Sequence, residues 1–336
     1  MFDKKLISSG VFCRGVYVPF DVENRNTPPF RSLDFYPDSC GIRIVQSCNG
    51  LLLCCSDKGT KRTRKYYVFN PTTKQFAVIP SVPGGPAVRK EICFMGLAFH
   101  PTDCADYKVV CIFRDGKVCR IQIYSSNIGK WKSSNQSFNA PSDTLLSELF
   151  EKLFTCGVYW NGAIHWAPAC RDPLYFKLDI EQLQKLPLPL RIASSGGYQV
   201  GYIPLYFGES RGHLHLVEIA HHHGRHLVLD VYEMSSDHSG WFLKYQVELD
   251  GLLAAYPRTM IYNKRSVWGC FDDQLEVLDI IRGETEGGTF MVVKVVWPRL
   301  AIRYNFLNKS FKQLSGIPYS HEHSEAHRYI ETIGSF

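Results

Sequence analysis

The segment Gly208-Glu209-Ser210-Arg211-Gly212 has the G-x-S-x-G spacing of a nucleophile elbow. In that motif a strained strand-to-helix turn lifts a serine hydroxyl clear of its sheet. The next residues, HLHLVEI, alternate in polarity and read as a strand. The helix that the chemistry needs is missing, and a hairpin is the simpler reading. Histidines form two clusters, His221, His222, His223 with His226, and His321, His323 with His327. Consecutive residues on a strand point to opposite faces, so the first cluster converges poorly on one ion and reads as a solvated loop. His323 and His327 would share a helix face, yet no cysteine or carboxylate stands at a spacing that completes a zinc site. The sequence contains no Walker A loop, H-E-x-x-H, dinucleotide glycine fingerprint or kinase set. No catalytic residue, cofactor site or metal ligand is assigned, and no enzymatic activity is expected.

One dense basic run, KGTKRTRK at 58–65, lies between two apparent strands. It reads as a solvated hairpin loop, because a nucleic-acid surface wants several such runs interleaved with aromatics. The net charge of +6 is mild for 336 residues, and no nucleic-acid partner is expected. No apolar run approaches the roughly 18 residues of a membrane span, so no membrane partner is expected either. The N-terminus, MFDKKLISSGVFCRG, lacks the apolar core of a secretory signal. None of the 12 cysteines forms a C-x-x-C pair. They read as reduced, buried residues in a cytoplasmic or nuclear protein. The sequons at Asn135 and Asn308 then read as chance matches.

The elements that must position any site are strands. Residues 157–189 read as four of them. Two, at 158–160 and 163–166, flank Asn161-Gly162, a dipeptide suited to a type I′ turn. A third covers 174–178 and a fourth 183–186, before Pro187 and Pro189 end the sheet. One such sheet exposes two faces and two edges, so it needs copies of itself to cover it. Copies are present. A strand, polar turn and second strand recur at 66–80, 121–134, 174–187, 228–245 and 301–314. The second strand opens on Phe76, Trp131, Leu183 or Leu186, Trp241 and Phe311. The preceding hairpin recurs at 44–54, 206–217 and 267–278, with a longer loop in its place at 100–107. The interval of roughly 50–70 residues is close to that of kelch-type blades.

The spacing therefore predicts one all-β domain over 1–336, a β-propeller with clear repeats over 42–315 and a tail over 316–336. Six four-stranded antiparallel blades are expected, with five or seven as alternatives. The sixth would draw on strands at 15–20, 31–36 and 289–297. Helical spacing appears at 143–154, between blades. In the tail, Ala326, Tyr329, Ile330 and Ile333 would line one face of a helix over 320–333.

The ordered set IVQSCNGLLLCC, YYVFNPTTKQFAVIP, GLAFHPTDCADYKVVCIF, IQIYSSNIGKWKSS and GVYWNGAIHWAP resembles the associated domain of plant F-box proteins. The resemblance is strong over 40–251. It implies a propeller that recruits a protein substrate to an SCF ubiquitin ligase, whose adaptor is bound by a separate F-box. No F-box segment is recognisable before the first propeller strand, so adaptor binding is expected only if an F-box is supplied upstream. The family motifs are structural and carry over no catalytic residue. Binding is expected on loops, with 57–65, 80–91, 191–199 and 221–226 as candidates. Two other readings are a competitive regulator that holds substrates without delivering them, and a small-molecule binder or enzyme using the propeller channel.

Overall fold

The computed structural model describes residues 9–13, 16–20, 39–100, 106–140, 157–166, 173–190, 204–223, 226–257, 275–295, 300–314 and 326–330. Two short strands, β1 (Ser9–Cys13) and β2 (Val16–Pro19), come first. Blade 1 follows as β3 (Ile42–Cys48), β4 (Leu51–Ser56), β5 (Tyr66–Asn70) and β6 (Gln75–Ile79). After helix α1 (Gly85–Lys90), blade 2 is β7 (Ile92–Ala98), β8 (Lys108–Asp115), β9 (Val118–Ser125) and β10 (Lys130–Asn139). Blade 3 is β11 (Gly157–Trp160), β12 (Ala163–Trp166), β13 (Leu174–Lys177) and β14 (Gln182–Lys185). Blade 4 is β15 (Tyr206–Ser210), β16 (His213–His223), β17 (His226–Met234) and β18 (Trp241–Glu248). Helix α2 (Asp250–Ala255) precedes blade 5, formed by β19 (Glu276–Ile281), β20 (Phe290–Val295), β21 (Leu300–Asn305) and β22 (Phe311–Leu314). A last strand, β23 (Ala326–Ile330), adds to β1.

The fold is a six-bladed β-propeller of antiparallel sheets. Five sheets have four strands in sequence order, and the sixth has three among the described residues, in the order β2-β1-β23. Two compact units emerge, Met1–Ser147 with Ser324–Phe336, and Glu148–His323. Three sheets lie in each.

Two-residue turns fix the first hairpins. Asn49-Gly50, Asn161-Gly162 and Arg211-Gly212 all have positive φ at both positions, as the right-handed strand twist demands. The second hairpins share a cross-strand pair: Phe69 faces Phe76, Tyr124 faces Trp131, Phe176 faces Leu183, Met234 faces Trp241, and Tyr304 faces Phe311. Leu183, and not Leu186, is thus the counterpart in blade 3. In blades 1 and 5 an asparagine closes the third strand. Asn70 Oδ1 accepts the N–H groups of Thr72 and Thr73, and Asn305 Oδ1 those of Leu307 and Asn308. This side-chain mimicry of a turn reverses the chain without a glycine.

Apolar side chains fill the space between neighbouring sheets. In the second unit Leu229, Val231 and Val247 of blade 4 pack with Ile280, Met291 and Ile302 of blade 5. In the first, Phe12, Tyr17 and Tyr329 pack with Leu52, Cys54 and Phe69 of blade 1.

Three expectations need correction. The tail is a strand at Ala326–Ile330, not a helix, because the edge of β1 offers it a hydrogen-bonding partner along its length. Residues 289–297 do not contribute to the sixth sheet. Phe290–Val295 is the second strand of blade 5, paired with Glu276–Ile281 and Leu300–Asn305. The first hairpin of that blade is accordingly displaced from 267–278, much of which lies outside the described residues. The predicted helix at 143–154 and the strand at 31–36 lie outside them as well.

Candidate functional site

The elbow-like motif is absorbed by the hairpin of β15 and β16. Ser210 is fully buried, and its Oγ accepts the backbone N–H of Arg282 at 2.9 Å. The Tyr206 ring lies across Gly208, where a Cβ would collide with it. From there the phenol donates to Asp279 Oδ1 at 2.7 Å. Gly212 supplies the left-handed turn and offers its carbonyl to Trp160 Nε1 at 2.7 Å. Each position of the motif has a packing role, and the serine faces no open space.

Nearby, the buried Glu233 is held by two nitrogen groups. His213 Nδ1 lies 2.7 Å from one carboxylate oxygen and Arg282 Nη1 2.8 Å from the other. Burial pushes this carboxyl up, but His213 and Arg282 outweigh it and hold it below the ordinary carboxylate range. A group held ionised and already engaged on both oxygens links strands rather than abstracting a proton.

His165 is buried, with Nε2 2.9 Å from His238 Nε2. The two rings stack at 5.1 Å, and Tyr175 stacks on His238 at 4.5 Å. Desolvation, assisted by His238, pushes the His165 pKa down to about 3. It is a neutral member of an aromatic stack at physiological pH.

The remaining histidines divide. His221, His223 and His226 are exposed, and His221 and His226 have rings 5.2 Å apart. His226 Nδ1 meets Asp250 Oδ2 at 2.8 Å, while Asp250 Oδ1 accepts the N–H of Leu227 at 3.0 Å. Among the described residues no group of three or more His, Cys, Asp and Glu is arranged to hold a metal ion. His321 and His323 lie outside the described residues, and His327 is on β23.

The loops are more informative. In an up-and-down sheet, the connection from second to third strand and the exit from the fourth leave at the same end of the strands. Loop 57–65 is the first kind in blade 1, and loop 80–91 is the second. The structure brings them together: Arg89 Nε donates to the Arg62 carbonyl at 2.9 Å. Loop 57–65 is held by its own bonds. Asp57 and Lys58 donate to the carbonyls of Gly41 and Cys40, Ser56 donates to that of Lys65, and Thr63 N–H donates to the Thr60 carbonyl. Loop 80–91 is anchored by buried Val82 and folds into α1. Arg89 and Lys90 occupy the last turn of that helix, where cations suit the macrodipole.

The two loops carry seven cations, Lys58, Lys61, Arg62, Arg64, Lys65, Arg89 and Lys90, and two carboxylates, Asp57 and Glu91. The surplus approaches the whole chain's net charge of +6. Sequence inspection finds the run at 58–65 but not its extension by Arg89 and Lys90, which are too far along the chain to form one cluster. Loop 191–199 lies outside the described residues. Of loop 221–226, residues 221–223 and 226 are described, in the second unit.

Comparison with known proteins adds three findings. A family model, the F-box associated beta propeller domain, matches residues 21–199. An Arabidopsis thaliana F-box protein is 32% identical over 310 residues, covering 88% of this chain and 68% of that protein. A second Arabidopsis thaliana F-box protein is 29% identical over 207 residues, covering 56% of this chain and 52% of its own. The chain thus spans about two thirds of one relative and half of the other. Among solved structures, an uncharacterized Listeria monocytogenes protein aligns over 82% of this chain and 83% of its own, at 10% identity and a TM-score of 0.39. The β-propeller domain of the trilobed protease from Pyrococcus furiosus aligns over 80% of this chain and 78% of its own, at 8% identity and a TM-score of 0.36.

Proposed function

This chain belongs to the F-box associated β-propeller family, and on that premise we propose that it is a non-enzymatic protein-interaction module, the substrate-recognition part of an SCF-type ubiquitin ligase. The observation that carries this reading is the family match over 21–199, reinforced by a relative named as an F-box protein over most of the chain. In this reading the six sheets work as one kelch-like propeller domain, and the loops at the strand ends hold the substrate. Docking to the SCF adaptor requires an F-box upstream of the propeller. No helix among the described residues is long and apolar enough to cross a membrane. Five described cysteines, Cys48, Cys54, Cys55, Cys111 and Cys119, are buried as thiols, which supports placing the protein in the cytoplasm or nucleus.

Support also comes from the groups that could do chemistry. Ser210 and Glu233 are each engaged by Arg282, and His165 by His238. The test is proximity labelling by the native chain and by a variant with 57–65 replaced by a Gly/Ser loop. The expected result is a protein set labelled by the native chain alone, whose lifetimes lengthen when the gene is silenced. An identical set from both proteins, or unchanged lifetimes, would overturn the reading.

A further inference from the structure

We propose that the paired loops 57–65 and 80–91 form a docking surface for an acidic, extended segment of the protein partner. This rests on the reading of the chain as a protein-binding module and adds the chemical class of what it binds.

The argument begins with charge. Five cations within the nine residues of 57–65 repel one another, and a loop free to spread would separate them. Here the chain does the opposite. The bond from Thr63 N–H to the Thr60 carbonyl, at 3.1 Å, closes a tight turn. Arg64 N–H meets the same carbonyl at 3.1 Å, and the Thr60 N–H meets Thr63 Oγ1 at 3.2 Å. Gly59, at φ 110°, makes the bend that brings these groups together. Backbone and hydroxyl bonds hold this turn closed against that repulsion.

The second loop then adds to the same charge. Arg89 reaches loop 57–65 through its Nε and the backbone carbonyl of Arg62, so its guanidinium is fixed against the basic loop by a contact with a neutral group. An ordinary solvated loop gains nothing from recruiting a further cation. A surface that must attract an anion does. Exposed charges act together within a Debye length of about 8 Å at physiological salt, and a cluster of one sign raises the rate at which an oppositely charged partner arrives. Arginine also offers paired donors that match a carboxylate.

An acidic peptide fits better than nucleic acid. Bases need aromatic faces to stack on. Loop 57–65 contains none, and neither does loop 80–91. Of the aromatics beside them, Tyr66 is half-buried and hydrogen-bonded to Arg64, and Trp131 packs on Tyr124 and gives its Nε1 to the Pro80 carbonyl.

The test is fluorescence anisotropy on the full chain. Its probes are a labelled peptide of alternating Glu and Ala, the same peptide with Gln for Glu, and a single-stranded DNA of similar charge. The acidic peptide should bind about tenfold more tightly than the Gln peptide, and the gap should shrink as salt rises. Charge reversal by K58E, K61E and R62E together should abolish the gap. K130E with K132E, a two-residue reversal on β10, should leave it. Gly59→Val changes the shape of the loop without its charge and should weaken binding several-fold, with circular dichroism confirming that the sheets persist. Equal binding of both peptides, an unchanged affinity in Gly59→Val, or preference for DNA would overturn the proposal. The two readings fail separately. Native labelling of partners that survives charge reversal would sink this inference alone. Acidic-peptide binding without any loop-dependent cellular partner would sink the proposed function alone.

Discussion

Single side chains join neighbouring blades in a repeated way. Trp131 Nε1 donates to the Pro80 carbonyl at 2.8 Å, and Trp241 Nε1 to the Pro187 carbonyl at 2.8 Å. In each case a fourth strand reaches the exit of the preceding blade. Trp241 is buried and Trp131 is more open. Trp241→Phe should therefore cost about 1 kcal/mol, since it orphans a carbonyl partly shielded from water, while water can replace the bond lost in Trp131→Phe. Urea titration of the two variants checks the order, and a larger loss for Trp131→Phe would contradict it. His165 predicts pH dependence. Its folded pKa is about 3, below the ordinary histidine value of 6.5. His327, with its Nε2 shut off from water, is likewise pushed down by desolvation and by Arg43, to about 4. For such groups the unfolded chain takes up protons that the folded one refuses. Their stabilising contribution is complete above the unfolded pKa and declines as pH falls towards the folded values. By pH 5 each should cost about 2 kcal/mol relative to neutral pH. Chemical denaturation between pH 7 and 5 should show that decline, and His165→Phe should make it shallower. An unchanged slope in the variant would show that His165 is not the group responsible.

At the scale of elements, legibility depended on how local the determining interaction is. Asn49-Gly50, Asn161-Gly162 and Arg211-Gly212 declare their hairpins because the turn geometry is set by two residues, and all three positions hold. Gly208–Gly212 reads as a hairpin because an alternating strand follows it, and β15 pairs with β16 across it. The last strand was misread. Ala326, Tyr329 and Ile330 fit a helical stripe, and nothing within the segment reveals that Ser9–Cys13 lies ready to pair with it. Blade 5 was misparsed for a related reason: its first two strands are joined by 282–289, including a 3-10 turn at Glu286–Gly288, and not by a two-residue turn. The candidate site was half visible, since the basic run is contiguous but its second contributor arrives through tertiary structure. The buried Tyr329 allows a test of the strand assignment. It packs edge-on against Phe12 and Tyr17, at ring distances of 5.5 and 5.9 Å, and its hydroxyl bonds Thr72. Tyr329→Ala should cost about 3–5 kcal/mol, as for other large aromatic truncations in cores. Tyr329→Phe should cost about 1 kcal/mol, for the hydrogen bond to Thr72. Equal and small losses would mean that the ring is not buried.

For the molecule as a whole, the decisive feature is that its sixth sheet is assembled from both ends of the chain. Ser9 pairs with Ile330 and Cys13 with Ala326, so more than 300 residues of sequence separate strands that share hydrogen bonds. Contacts of that separation bring a large loop-closure cost and form late. Until β23 arrives, β1 offers an unpaired edge, and Phe12 and Tyr17 lack the ring that covers them. The first compact unit should therefore gain its final cooperativity only when the C-terminal segment is in place. Deleting 324–336 should leave the amides of Ser9–Cys13 open to hydrogen exchange while the local hairpins of blades 1 and 2 keep theirs. A synthetic peptide covering 320–336, added in trans, should restore protection by supplying the missing strand, as extended peptides do on other open sheet edges. The same peptide carrying Tyr329→Ala should restore much less, because backbone pairing alone leaves the aromatic cluster unfilled. Full protection of Ser9–Cys13 in the shortened chain would mean that β1 is held by β2 alone and that β23 is an accessory. Failure of the native peptide, with protection lost, would show that the strand must be covalently delivered, which the low cost of adding one edge strand argues against.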